Sequence, residues 1–249
     1  MLFKFPKKKL VLHAFISELD KNIYTHFPVQ NATKFYPDWW KDLPKSHFSF
    51  GNMRTQVTMK GCVGLYNLYR NSAIMPIWTD VAIKSEKTDY YYYFGDKKTI
   101  SECHILDQRK GFKEDYFHMK ILSPWLFCSE KGVNFMFMEP YWNYTEEKGF
   151  EIPPGIVDFY YNYQTNINIL LMRERDNYIK ANTPILMIQP ISERTLELKT
   201  EMLSVREYTH LKTKNLNVFS DTGYPNLIKM MNETEIRNKC PFGFGRKNK

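Results

Sequence analysis

The stretch from Ser123 to Ile191 most constrains what this chain can fold into, because short apolar runs alternate there with turn residues. Asn134-Phe135-Met136-Phe137-Met138 and Thr165 to Met172 are rich in apolar and aromatic side chains. Ile167 and Ile169 alternate with Asn166 and Asn168, the period of two that marks a half-buried strand. Pro184 to Pro190 is a third run, bounded by proline at both ends, as suits a strand that starts and stops sharply. Gly132, Gly149 and Pro153-Pro154-Gly155 punctuate the runs as turns. Three or four antiparallel strands are expected here.

The flanking segments extend the pattern. Leu10 to Ile16 reads as a strand. Ala32 to Pro44 is a dense aromatic stretch in which Pro37 opens a short helical turn carrying Trp39 and Trp40. Those tryptophans serve either as a clamp that pins the N-terminal segment onto the sheet or as a stacking surface for a base, sugar or peptide. A short helix is expected after Gly61, with Cys62 or Val63 near its start. Ile74 to Ile83 reads as a turn followed by a strand, and Asp89 to Asp96 as a second strand paired with it through the polar turn Ser85-Glu86-Lys87-Thr88. Residues 96–116 are polar, a loop with a short helix, and Phe117 to Phe127 returns to strand character. Thr195 to Val205 continues as strand and Arg206 to Asn217 is polar. Pro225 to Lys239 has the spacing of an amphipathic helix, and the tail from Cys240 has no periodicity. No internal repeat or clear linker is visible. The expectation is mainly β: a single β-rich domain (an antiparallel sandwich, jelly-roll or β-clip-like) with a few short peripheral helices. One domain spans 1–249, with a β-rich body over 10–222 and a C-terminal helix and basic tail over 223–249.

Composition supports a folded core. Hydrophobic residues make up 43% of the 249 and charged residues 25%, while the 17 Tyr and 18 Phe favour pleated surfaces on which flat rings pack well. The net charge of +8 resembles a nucleic-acid signal until it is located. Lys4, Lys7, Lys8 and Lys9 at one end and Arg246, Lys247 and Lys249 at the other supply seven of those charges, so the body is close to neutral. Such ends touch phosphate or an acidic partner, or simply keep the protein solvated. The four cysteines, Cys62, Cys103, Cys128 and Cys240, form no CxxC pair and are expected as free thiols in a reducing compartment. No apolar leader is seen at the start, and no run approaches the roughly 20 apolar residues that span a bilayer, so no membrane partner is expected.

Several chemistries lack their residues. None of the six histidines begins His-x-Asp or His-x-Glu, the pair a 2-oxoglutarate oxygenase needs, and no metal site is expected. P-loop, GxGxxG, GxSxG and HExxH motifs do not occur.

Gly155-Ile156-Val157-Asp158-Phe159-Tyr160-Tyr161, followed by strand, Asn168 and the Pro184 run, resembles a segment of the dUTPase and dCTP-deaminase superfamily, which has a β-clip fold. The resemblance covers about forty residues. It implies that Asp158 orients water or a sugar hydroxyl as the catalytic base, that Tyr161 packs on the deoxyribose, and that magnesium is the cofactor. The superfamily's Pro-Arg-Ser-Gly-Leu-Ala motif is missing; its nearest counterpart, Ser123 to Phe127, carries no basic residue. A second resemblance rests on three blocks taken in order: Ala32 to Lys41, Met59-Lys60-Gly61-Cys62, and Ala73 to Asp80. Together they resemble a family of uncharacterised proteins carried by tailed phages of marine bacteria. That resemblance implies a protein of the host cytoplasm or of the virion and brings no activity with it.

The leading expectation is thus a phage-encoded binding or interaction protein with an aromatic groove. Its ligand-binding residues would be Trp39, Trp40, Trp78 and Trp125, with Lys60 and Asp80 as polar members, converging near Asp158 and Tyr161. The alternatives are a dUTPase-like nucleotide-processing enzyme and a virion structural part. Partner classes left open are a host or phage protein, a nucleic acid or nucleotide, and a second copy of the chain.

Overall fold

A computed structural model describes residues 8–51, 53–103 and 105–216. The amphipathic helix expected over 225–239 and most of the two basic ends lie outside the described residues. Among these residues sixteen strands and four α-helices follow in order. The first part holds β1 (Leu10–Ser17), α1 (Lys21–His26), β2 (Gln30–Asn31), α2 (Asp38–Asp42), β3 (Ser46–Ser49), β4 (Arg54–Val57) and α3 (Val63–Arg70). Next come β5 (Ala73–Pro76), β6 (Val81–Ser85), β7 (Tyr90–Phe94), β8 (Ser101–Cys103), β9 (Tyr116–Ser129), β10 (Asn134–Met138) and β11 (Phe150–Glu151). The chain continues with β12 (Gly155–Asp158), β13 (Gln164–Met172), β14 (Asn177–Ile179), β15 (Pro184–Pro190), β16 (Leu196–Leu203) and α4 (Val205–Leu216). The protein is mainly β, as expected.

Two sheets share one core. The first runs β11-β13-β9-β1-β16, with β8 also on β9; the second runs β12-β10-β15-β5-β2. Alternation along each strand sends one set of side chains into the common interior. Leu12, Ala14, Met119, Ile121, Trp125, Phe127, Ile167 and Ile169 come from the first sheet, and Phe135, Ile185, Ile188, Ala73 and Met75 from the second. Phe159, from the turn after β12, joins the two layers: its ring centroid lies 5.1 Å from Phe127, 5.0 Å from Phe135 and 5.6 Å from Phe137. The strands of the central stretch pair antiparallel, but β9 and β13 belong to one sheet while β10 and β15 belong to the other. The β1–β16 pair is parallel, which joins the two ends of the body in register from Leu10↔Leu196 to Ser17↔Leu203.

Pro124 sits inside the 14-residue β9 without breaking it. Its missing N–H falls in a gap of both ladders: β13 pairs with β9 up to Leu122 and again at Leu126, slipping between Gln164 and Asn166, while on the other edge β8 ends at Ile121 and β1 begins at Leu126. Ser123 Oγ accepts the Trp125 N–H at 3.0 Å, which satisfies the donor beside the gap.

Two readings are corrected. Ile74 to Pro76, expected as a turn, belongs to β5, all four of whose residues are buried in the second sheet. Of Arg206 to Asn217, expected as merely polar, the described residues up to Leu216 belong to the 12-residue helix α4. Ser204 Oγ accepts the Glu207 N–H while Glu207 Oε2 accepts the Ser204 N–H, a capping box that starts the helix. Leu211 and Tyr208 then cover Phe15, Leu126 and Cys128 on the outer face of the first sheet. The β6–β7 hairpin forms as expected and is widened by β14 into a three-stranded sheet. Residues 96–116 add β8 and a 3-10 turn at Leu106–Arg109. Cys62, Cys103 and Cys128 form no disulfide; Cys240 is outside the described residues. Among the described residues no helix is long and apolar enough to cross a membrane.

Candidate functional site

The outer face of the second sheet is covered by aromatic side chains, and the candidate site is a groove in that cover. Ile74 of β5 and Met187 of β15 point outward there and pack with Ala32, Leu65 and Tyr69. Pro37 caps α2, and the 3-10 turn Ala32–Phe35 precedes it, so Phe35, Tyr36, Trp39 and Trp40 arrive on one surface. Tyr36 is sandwiched between Trp40, at 4.3 Å, and Tyr69, at 4.8 Å, with near-parallel rings. Beside this stack a groove of about 410 Å³ runs between Phe35, Pro37 and Trp39 on one wall and Asn143 and Thr145 on the other, with Pro184 also in its lining.

Side-chain hydrogen bonds to backbone fix both walls. Asn143 Nδ2 donates to the Phe35 carbonyl at 2.7 Å, and Asn143 Oδ1 accepts the Tyr69 hydroxyl at 2.6 Å. Trp39 Nε1 donates to the Trp142 carbonyl at 2.9 Å, and the Tyr144 hydroxyl donates to the Pro184 carbonyl at 2.8 Å. Lys60 ties α2 down from behind: its ammonium donates to the carbonyls of Trp40 and Lys41, 2.8 and 2.7 Å away, and lies 4.4 Å from the centre of the Trp40 ring. A cation on the last carbonyls of a helix is favourable, and here it orients the tryptophan as well.

The groove carries charge at its rim. Lys41 pairs with Asp38 at 2.8 Å, whereas no acidic side chain among the described residues pairs with Lys34. Burial lifts the Tyr36 phenol above its ordinary value, with Tyr66 adding to the lift and Arg70 opposing it, so its hydroxyl stays a proton donor. That hydroxyl and Trp40 Nε1 are both buried without a partner among the described residues.

The expected site residues therefore divide. Trp39 lines the groove, while Trp40 and Lys60 pack together behind it. Trp125 is fully buried in the inter-sheet core, and Trp78 is there too, its Nε1 donating to Thr99 Oγ1 at 2.9 Å. Asp80 sits at the base of the three-stranded sheet. Its Oδ1 accepts the Ala181 N–H at 2.8 Å, and that bond, then the Tyr178 hydroxyl, holds its carboxyl below the usual range. Asp158 ends β12 opposite Asn134 and folds a turn on itself: Oδ1 accepts the Tyr160 N–H at 2.8 Å. Burial raises its carboxyl, while the Tyr160 N–H and the more distant Lys131 oppose the rise. Tyr161 follows in that turn and is only 6% exposed. The four tryptophans thus fall into two clusters, Trp78 and Trp125 in the inter-sheet core and Trp39 and Trp40 on the outer face of the second sheet.

Sequence reasoning missed Asn143 and Tyr144. The only signal was their place in Tyr141-Trp142-Asn143-Tyr144, a polar residue inside an aromatic run. Among the described residues no three His, Cys, Asp or Glu side chains are grouped as metal ligands. No protein-family model matches the chain and no curated protein matches it.

Proposed function

We propose that this chain is a binding protein whose groove between Phe35–Trp39 and Asn143–Thr145 takes a flat-sided ligand carrying a negative charge. One observation carries the reading: an open groove whose aromatic walls are already locked by Asn143, Tyr144 and Lys60, so that binding costs little ordering. Trp39 and Phe35 offer the flat surface, and Lys34 a charge with no acidic partner among the described residues. A host or phage peptide and a nucleotide both meet this description.

The test is a thermal-shift screen of the purified chain against deoxynucleotides with and without magnesium, acidic aromatic peptides and short DNA. A ligand at a hundred times its dissociation constant adds about 2.7 kcal/mol of stability. The expected result is a raised midpoint that Trp39→Ala abolishes and Lys34→Gln weakens. A panel without a shift, or a shift indifferent to Trp39→Ala, refutes the reading.

One observation favours a second reading, nucleotide turnover at Asp158: burial holds that carboxyl above the usual range, as in a carboxylate tuned toward base catalysis. Magnesium-dependent turnover lost in Asp158→Asn would establish it, and absence of turnover of every deoxynucleotide would dismiss it.

A further inference from the structure

A second surface lies beside the groove and has a different chemistry. Among the described residues strands β3 and β4 pair only with each other, in the register Ser46↔Val57 to Ser49↔Arg54, and no residue of either strand is buried. Opposed residues of a ladder share a face. One face therefore carries Ser46, Phe48, Thr55 and Val57, and the other His47, Ser49, Arg54 and Gln56. Phe50 continues the apolar face, its ring edge-on to Phe48 at 5.2 Å. Phe50 is 82% exposed, Val57 76%, Met53 74% and Phe48 48%. A lone hairpin is marginal in water, and one that turns its apolar face outward is more so.

The surrounding charge has one sign. From Leu43 to Thr79 the chain contains no Asp or Glu, yet it holds Lys45, Arg54, Lys60 and Arg70. Lys60 is committed to α2, and Lys45 and Arg54 flank the hairpin with no acidic partner among the described residues. The hairpin base is anchored: the Thr58 N–H donates to the Lys45 carbonyl at 3.1 Å, and the Thr58 hydroxyl reaches the Pro44 carbonyl. Val63 and Tyr66, one turn apart on α3, are also exposed.

We propose that the β3–β4 hairpin is a membrane-docking element that sinks Phe48, Phe50, Met53 and Val57 into the surface of an anionic lipid bilayer, with Lys45 and Arg54 on the headgroups. Size and charge select this occupant. A two-stranded ribbon of four residues a strand is about 10 Å wide and about 14 Å long. Its footprint falls far short of the roughly 800 Å² per partner that a stable protein interface buries. A bilayer demands no matching shape, only apolar area and cations. Docking of this kind needs no spanning segment.

The test is co-sedimentation of the full chain with vesicles of phosphatidylcholine alone and of phosphatidylcholine mixed with phosphatidylglycerol. The expected result is binding to the anionic vesicles only. Phe48→Ser with Phe50→Ser should weaken it by about tenfold or more, and Lys45→Gln or Arg54→Gln by about fivefold each. None of these side chains is buried, so the urea midpoint should be unchanged in all of them. The basic ends supply an internal control: vesicle binding that survives the Phe48 and Phe50 substitutions comes from elsewhere and overturns the proposal. Failure to bind either vesicle also overturns it, as does binding of duplex DNA or self-association through the hairpin with no vesicle binding.

Discussion

Removing the Asn143 side chain tests whether the groove is pre-formed in the way its hydrogen bonds imply. Asn143→Ala deletes the acceptor of the Tyr69 hydroxyl and the donor to the Phe35 carbonyl. Tyr69 is fully buried, so its hydroxyl is stranded at a cost of about 1–3 kcal/mol. The half-buried Phe35 carbonyl loses one bond, about 1 kcal/mol more, so Asn143→Ala should cost about 2–4 kcal/mol in all. Tyr69→Phe removes the hydroxyl itself and leaves Asn143 Oδ1 within reach of water from the groove, for about 1 kcal/mol. In the double variant no hydroxyl is stranded, so the two costs should fall short of their sum by about 1–2 kcal/mol. Urea unfolding followed by tryptophan fluorescence measures all four corners of the cycle, and the slope should not change between them. Ligand binding should weaken in Asn143→Ala beyond what stability alone dictates, because Phe35 loses its tether. Costs that add to within about 0.5 kcal/mol would refute the account of Asn143 as the bridge between wall and core.

The other expectations concern the core, the turn and alkaline pH. Phe159→Ala should cost about 3–5 kcal/mol in denaturant unfolding, since three rings from two sheets lose their common neighbour; a cost below about 1 kcal/mol would show that the sheets do not meet there. Asp158→Asn keeps an acceptor for the Tyr160 N–H and relieves a buried charge, so its thermal midpoint should match or exceed that of the parent. Asp158→Ala should cost about 1 kcal/mol, and a large loss in the Asn variant would show that the charge itself is structural. Burial holds the phenols of Tyr69, Tyr144 and Tyr208 well above their ordinary 10.0 and pushes that of Tyr90 up to about 12. The folded chain keeps these protons where the unfolded chain has released them. Stability is therefore complete below pH 10 and is lost as pH rises through 10 toward 12, at up to about 1.4 kcal/mol per pH unit for each phenol. A urea midpoint constant across that window would contradict the burial of these hydroxyls.

Much of the secondary structure was legible because it is set by local spacing. Leu10–Ser17, Asn134–Met138, Gln164–Met172 and Pro184–Pro190 announce themselves by period and by bounding prolines, and each is a strand. Helix α4 was overlooked although Ser204-Val205-Arg206-Glu207 spells a capping box, because its exposed face made the segment read as polar. Strand β5 was mistaken for a turn because Pro76 closes it. Its prolyl ring is tolerated at the strand end, where Pro184 stands opposite and no ladder donor is needed.

What the sequence by itself determined is the class of structure: alternation that commits the chain to sheets and aromatic content that fills them. Only the tertiary structure decided which tryptophans are available. Trp78 and Trp125 look no different in sequence from Trp39 and Trp40, yet the first pair fills the space between the sheets and the second lies on the outer face. The reason is register. The face a side chain takes depends on where its segment lands against strands that are distant in sequence, and a shift of one residue reverses it. The parallel closure of β1 on β16 and the bridge from Asn143 to Tyr69 depend in the same way on contacts across more than seventy residues, which no local pattern records.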